Sequence, residues 1–212
     1  MATDVCPINP DRPFSGVSLA ESFAEAYAKK YNVDVGLIPC ADGGTRLEQW
    51  QEGGLLYDNA VYQSRLASRT STIVGVLWHQ GESDCADGLR ENYCVRFEKI
   101  MHALRRDLDL NDVPFVLGGL GDFLANCTVA PWVQNYKVVN EELKKVAAKN
   151  AKTVFVTAKG LTGKSDNLHF NAVSLYEFGL RYFQAFEKAR NKNKVFIEKN
   201  EDDVVRTEIE KL

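Results

Sequence analysis

The sequence contains no long hydrophobic run and no closely spaced pair of cysteines, and both absences narrow the kinds of protein it can encode. No stretch approaches the roughly 20 apolar residues that a helix needs to cross a bilayer. Residues 1–16 also lack the charged and then apolar pattern of a signal peptide. The 5 cysteines form no CxxC pair, so neither a disulfide framework nor a zinc site is indicated. We therefore expect free thiols and, by default, a cytoplasmic protein, although a start further upstream would change the second expectation.

Positive and negative charges are nearly balanced in the sequence. The formal net charge is −3 and the pI is near 5.7, so the sequence shows no basic footprint for nucleic acid or anionic membrane. Its 212 residues suit one domain, which we place at residues 1–190. Residues 191–212 are rich in charge and form either a short appended strand and helix or a solvated tail. The oligomeric state stays open.

Apolar runs and amphipathic segments alternate along the chain. The first helix is marked by Ser18 and Glu21, an S-x-x-E capping box. The predicted order is helix 18–31, strand 33–40, helix 55–68, strand 72–78, helix 89–108, strand 113–120, helix 133–150, strand 152–158 and helix 171–190. This alternation predicts an α/β fold of three layers, in which helices cover both faces of a mostly parallel sheet.

Polar residues gather where the predicted strands end. The stretches ADGGT, HQGESD, GGLGDF and GLTGKSDNLH all follow strands, and ligands collect at the carboxyl ends of strands in such a sheet. Asp166 precedes His169 by three residues, just before a helix, so the carboxylate can orient the ring while the other nitrogen acts as a general base. A histidine at a helix start can instead cap or pack, but the second polar cluster at the same edge favours catalysis.

Two residues beside that cluster are expected to be structural. Trp78 lies at a strand end beneath the motif, where core packing is favoured over a position that stacks on a ligand in the cleft. Alternation along the strand places His79 on the opposite side from Gln80.

Four blocks of the sequence resemble a known family. They are VGLIPCADGGTRLEQW, GVLWHQGESD, VPFVLGGLGDFL and DNLHFNAVSLYEFG, in residues 11–189. Their order and spacing are similar to those of the sialate O-acetylesterase and acetylxylan esterase group of the SGNH hydrolases. The resemblance implies removal of acetyl groups from sugar esters by a serine nucleophile, a histidine base and a carboxylate. It implies acetylated carbohydrate as the partner and no metal or organic cofactor.

The resemblance also assigns roles to individual residues. His169 is similar to the base, Asp166 to its carboxylate partner, and Glu82 to a glutamate that is an alternative acid in this group. The oxyanion hole would be formed by the backbone N–H of Gly44, or of its neighbour Gly43, together with the side-chain amide of Gln80. Fixed N–H donors of this kind stabilise the charge that develops on the substrate oxygen.

The serine of that group has no clear counterpart here. It lies on a GQSN-type turn after the first strand, upstream of the part that matches residues 13–24, and the chain contains no G-x-S-N or G-D-S. Ser15 lies in an FSG turn, Ser18 is explained by capping, Cys40 follows a different strand, and Ser83 belongs to the Glu82 block. None is a convincing substitute, so the nucleophile stays unknown.

The resemblance further implies a flavodoxin-like sheet of strand order 2-1-3-4-5 whose first strand is missing. Segments 33–40 and 72–78 would then pair directly or leave unpaired backbone groups, which are costly when buried. We expect a truncated gene model, a fragment or a decayed paralogue, with little or no esterase turnover. The alternative is a carbohydrate-binding pseudoenzyme.

A more distant alternative is nucleotide binding through AKGLTGKS, residues 158–165. This stretch fits a loose phosphate-loop pattern after a strand. However, Asp166 follows where a helix N-terminus should receive the phosphates, and no later strand is expected to carry a magnesium-binding aspartate.

Overall fold

The part of the chain that the structure describes contains a sheet of three strands, all parallel, in the order β1-β2-β3. The structure is a computed structural model that describes residues 17–192; Ser15 and residues 193–212 of the expected tail lie outside the described part. The helices and strands are α1 (Leu19–Tyr31), α2 (Leu55–Ala67), β1 (Val76–Trp78), α3 (Tyr93–Asp107), β2 (Phe115–Gly118), α4 (Tyr136–Lys149), β3 (Thr153–Val156) and α5 (Ala172–Arg190). All five predicted helices are present, and three of the four predicted strands form over shorter ranges.

The three-layer arrangement is visible in the alternation along β2. Phe115 and Leu117 face one apolar core, which side chains of α2, α3 and α4 complete. Val116 faces a second core, to which α1 and α5 contribute. All three β2 side chains are fully buried, as expected for the central strand of a sheet that is covered on both faces. The predicted α/β class is confirmed.

The strand predicted at residues 33–40 does not form, and this expectation was wrong. The segment has no regular secondary structure, and Val33 and Ile38 are 49% and 37% exposed. A strand persists only when a neighbour takes its backbone hydrogen bonds, and no described strand lies beside this segment. Direct pairing with β1 therefore does not occur, and β1 is an edge strand of the described sheet.

Helix α1 begins at a cap and packs closely on α5. The Ser18 hydroxyl accepts the N–H of Ala20 at 2.9 Å, which caps the helix. A Cβ added to Gly179 would lie 2.0 Å from the carbonyl oxygen of Leu19, so the two helices approach more closely there than any other residue allows.

No helix within residues 17–192 is long and apolar enough to span a bilayer.

Candidate active site

The histidine expected to act as a base forms a hydrogen-bonded pair with its expected carboxylate. His169 Nδ1 lies 2.8 Å from Asp166 Oδ2. Asp166 Oδ1 accepts the backbone N–H groups of Leu168 at 2.9 Å and of His169 at 3.0 Å. Partial burial opposes ionisation of Asp166, but these donors outweigh it and lower the pKa of the carboxyl to about 2. The carboxylate therefore favours the proton on Nδ1 and leaves Nε2 as the basic nitrogen.

The loop that carries this pair is braced from both sides. Gly163 and Phe170 form an antiparallel bridge, and Lys164 donates its N–H to the carbonyl of His169 at 2.7 Å. The ring of Phe123 packs edge-on against Phe170, with centroids 4.8 Å apart. The His169 side chain stays 64% exposed on this fixed loop, so it is open to a substrate.

Glu82 lies within electrostatic reach of His169. Its Oε1 is 3.5 Å from His79 Nε2, and the His79 ring packs edge-on against Phe170 and Phe178. Burial works against ionisation of Glu82, but the contact with His79 and the field of His169 lower the pKa of its carboxyl. His79 thus packs against aromatic side chains of the core and also contacts the Glu82 carboxylate.

The turn that leads from Gln80 to Glu82 requires a glycine. Gly81 has φ of +146°, which side chains rarely adopt, and a Cβ there would lie 2.8 Å from Val139 Cγ1. The backbone of this turn therefore packs directly against α4.

The side-chain amide of Gln80 is engaged inside the protein. Its Nε2 donates to the carbonyl of Thr45 at 2.9 Å and to Asp84 Oδ2 at 2.7 Å. The hydroxyl of Tyr93 donates to Gln80 Oε1 at 2.9 Å. Because an amide nitrogen carries two hydrogens, both are used in this geometry. Gln80 therefore ties the end of β1 to the ADGGT turn, and a role as oxyanion donor would require one of these bonds to open.

The ADGGT turn, residues 41–45, is held by the HQGESD stretch, residues 79–84. The carboxylate of Asp84 is fully buried; its Oδ2 accepts the N–H of Leu47 at 2.9 Å and its Oδ1 lies 2.9 Å from Arg96 Nη1. Ser83 donates its hydroxyl to the carbonyl of Gly44 at 3.0 Å. Gly44 itself is exposed with φ of +77°. The two stretches that the sequence placed at one edge are thus joined by direct hydrogen bonds.

The hydroxyl and thiol groups considered as nucleophiles are engaged elsewhere or not described. Ser18 caps α1, and Ser83 bonds to Gly44. Cys40 lies partly buried in the irregular segment after α1. Within residues 17–192, no hydrogen bond joins the His169 ring to a serine or cysteine. The described site therefore contains the His169–Asp166 pair and Glu82, and within residues 17–192 no serine or cysteine completes it.

The stretch at residues 158–165 does not lead into a helix. The loop continues through Asp166 and His169, and α5 begins only at Ala172. The N–H of Thr162 donates to the Ser174 hydroxyl at 2.8 Å, which ties the loop to the first turn of α5. A phosphate held by this loop would not meet a helix N-terminus directly.

The sequence did not reveal the buried clamp around Asp84. Arg96 on α3 and the N–H of Leu47 both reach this carboxylate from distant parts of the chain. The sequence did contain one indication of this cluster: the polar residues Gln80 and Asp84 are four positions apart, directly after an apolar strand. That spacing alone does not say which partners the two side chains find.

The sequence matches known proteins over most of its length. A family model described as "Carbohydrate esterase, sialic acid-specific acetylesterase" matches residues 3–188. The chain is 32% identical over 176 residues to a probable carbohydrate esterase of Arabidopsis thaliana. The aligned region covers 81% of this chain and 64% of that protein. The chain thus spans a little under two thirds of the length of this curated relative.

Two solved structures share the fold. An X-ray structure of a protein from Arabidopsis thaliana superposes with a TM-score of 0.74 at 30% identity and covers 86% of this chain and 74% of that one. A carbohydrate acetylesterase from Xanthomonas citri superposes with a TM-score of 0.65 at 20% identity, covering 84% and 42%. The second likeness shows the fold alone.

Proposed function

Because the chain belongs to the carbohydrate esterase family of sialic acid-specific acetylesterases, we propose that its site acts on O-acetyl esters of carbohydrate and that this polypeptide turns them over poorly. The proposed action on acetyl esters is supported by the pairing of His169 Nδ1 with Asp166 Oδ2 at 2.8 Å, on a braced loop where the His169 side chain is exposed. The proposed poor turnover rests on the sequence, which has no G-x-S-N or G-D-S turn.

The roles follow from the proton transfers that ester hydrolysis needs. His169 Nε2 takes a proton from the attacking water as the water oxygen bonds to the acetyl carbon, which ends as acetate. Asp166 stabilises the imidazolium, which then returns the proton to the departing sugar oxygen. Glu82 adds negative charge near the same ring, consistent with its lowered pKa. The N–H groups of the ADGGT turn are the proposed donors to the oxyanion, with Gly44 in the turn itself.

No serine or cysteine of residues 17–192 bonds to the His169 ring, so we take water as the attacking group. A serine hydrolase that loses one member of its triad keeps only about 10³–10⁴-fold catalysis over water. We therefore expect the chain to hydrolyse 4-nitrophenyl acetate more slowly than a complete serine esterase by at least about 10³-fold.

The test is a rate measurement on the purified chain with and without a serine-directed phosphonate. The phosphonate should leave the slow rate unchanged, and His169→Ala should lower it because water loses its base. His102→Ala is the matched control, since His102 bonds to Asn150 on the far end of α4. Fast hydrolysis abolished by both the phosphonate and His169→Ala would contradict the poor turnover.

Calorimetry separates the remaining possibility of carbohydrate binding without catalysis. Acetylated and deacetylated oligosaccharides are titrated into the chain, and acetate release is followed in the same samples. Binding of the acetylated sugar with acetate release supports the esterase. Binding without release supports a pseudoenzyme and contradicts the proposal.

A further inference from the structure

A groove of about 680 Å³ runs along the outer edge of β3, between α4 and α5. Residues 153–157 line it together with Ala147 of α4 and Ala185 of α5. Lys144, Arg181 and Lys188 also line it, and no acidic residue within residues 17–192 does. This groove lies at the opposite edge of the sheet from β1 and does not belong to the candidate active site.

The edge of β3 offers backbone groups to the groove. Val156 accepts the N–H of Gly119, so Val154 and Val156 point their backbone groups toward β2. Because these directions alternate along a strand, the backbone groups of the residues between and beside them point outward. Phe155 is central among these, and no backbone hydrogen bond within residues 17–192 joins it to another element on that side. An open edge of this kind is a template for a further strand.

The described chain ends at the entrance of this groove. Helix α5 returns from the carboxyl end of β3 to its amino end, where the carbonyl of Lys192 accepts the N–H of Lys152 at 3.1 Å. Lys192 Nζ donates to the carbonyl of Thr153 at 2.9 Å. A segment that continues along β3 from this point runs parallel to it, and the crossover through α5 is the ordinary connection between parallel strands.

The sequence that follows suits such an edge. Residues 194–198 read KVFIE, with three strong β-formers between a lysine and a glutamate. Charged residues at both ends are typical of an edge strand. Residues 198–203 carry four carboxylates and one lysine, which complements the cationic lining of the groove. At about 3.3 Å per residue, five residues are as long as the exposed edge at 153–157.

We propose that this groove is the docking site for residues 194–198 of the same chain, which add to β3 as a fourth parallel strand. Glu198 then lies beside Arg181, which marks the far end of the groove by donating to the carbonyl of Thr157 at 3.3 Å. The proposal does not depend on the esterase function.

Hydrogen exchange of the Phe155 amide tests the docking directly. It is followed by NMR in the full chain, in a chain ending at residue 192 and in a chain ending at residue 199. Loss of one backbone bond should accelerate exchange about tenfold in the shortest chain, whereas the chain ending at 199 should match the full one. The Leu117 amide on β2 is the internal control and should be unchanged. Equal Phe155 rates in the full and shortest chains overturn the proposal.

Point variants in the full chain repeat the test without truncation. Phe196→Asp should accelerate Phe155 exchange as truncation does, and Val205→Asp, beyond the docking segment, should not. If Phe196→Asp has no effect, the proposal fails. If protection is lost when the protein is diluted a hundredfold, the occupant is a second copy, and docking within one chain is overturned.

Discussion

Gln80 Nε2 lies 2.7 Å from Asp84 Oδ2, and the same carboxylate oxygen accepts the N–H of Leu47 at 2.9 Å. This buried contact joins the end of β1 to the ADGGT turn. The HQGESD stretch therefore works in part as a clamp, because the side chains of Gln80 and Asp84 hold the ADGGT turn and the residues after it. His169 is the exposed polar side chain of the site, with Asp166 and the partly buried Glu82 close to it.

Removal of the Asp84 carboxylate should be strongly destabilising. Asp84→Ala leaves Arg96 and the N–H of Leu47 without their partner, and breaking a buried ion pair costs about 3–5 kcal/mol. Urea unfolding measures this loss. Asp87→Ala is the matched control, because that carboxylate is 90% exposed in its pair with Arg90 and should contribute less than about 1 kcal/mol. Equal losses in the two variants would show that the clamp adds nothing.

The Asp166 carboxyl should titrate near pH 2, well below its usual 3.8. NMR of its side-chain carbon gives the midpoint. His169→Ala removes the side-chain donor but keeps the backbone donors, so the midpoint should rise only part of the way. Because the folded pKa is the lower one, the stabilisation is complete above about pH 4 and is lost as the pH falls toward 2. A midpoint near 3.8 in the unmodified chain would contradict the geometry.

Gly179 should not tolerate a side chain. A Cβ there would lie 2.0 Å from the carbonyl of Leu19 and equally close to the Ser22 hydroxyl, so Gly179→Ala must push α1 away from α5. We expect a loss of about 1–3 kcal/mol in the free energy of unfolding. Gly36→Ala is the control, since nothing lies within 4 Å of its added Cβ, and should change stability by less than about 0.5 kcal/mol.

The thiols should react in the order of their burial. Cys85 is fully buried, and burial together with the nearby Glu82 and Asp84 raises the pKa of its thiol. Burial also raises the pKa of Cys94 to about 11. Because the thiolate is the reactive form, Cys40, which is only partly buried, should be alkylated by iodoacetamide well before either. Peptide mapping by mass spectrometry gives the order, and early modification of Cys85 would contradict it.

Features that depend on neighbouring residues were predictable from the sequence. His169 and Asp166 are three positions apart in one turn, so their pairing depends only on the local backbone. The helices were predictable because each carries its own apolar stripe. The cap of α1 was also local, although the Ser18 hydroxyl bonds the N–H of Ala20 rather than that of Glu21.

Features that depend on distant partners were not predictable. Residues 33–40 have the apolar and β-branched composition of a strand, but composition cannot supply the neighbour that a strand needs. The sequence also does not show that Thr45, 35 residues earlier, accepts one of the amide hydrogens of Gln80; the role of Gln80 as an oxyanion donor stays a prediction. In both cases the outcome is decided by which backbone groups meet in three dimensions.

The shortness of β1 has a consequence for how molecules of this protein meet one another. Val76 donates its N–H to Pro114 across the sheet, so alternation leaves the N–H and C=O of Leu77 pointing away from β2. An incoming chain would find one residue to pair with, and a ladder of that size gives almost no free energy. This edge of β1, which no strand within residues 17–192 covers, is therefore a poor seed for fibrils, even though its side chains are apolar.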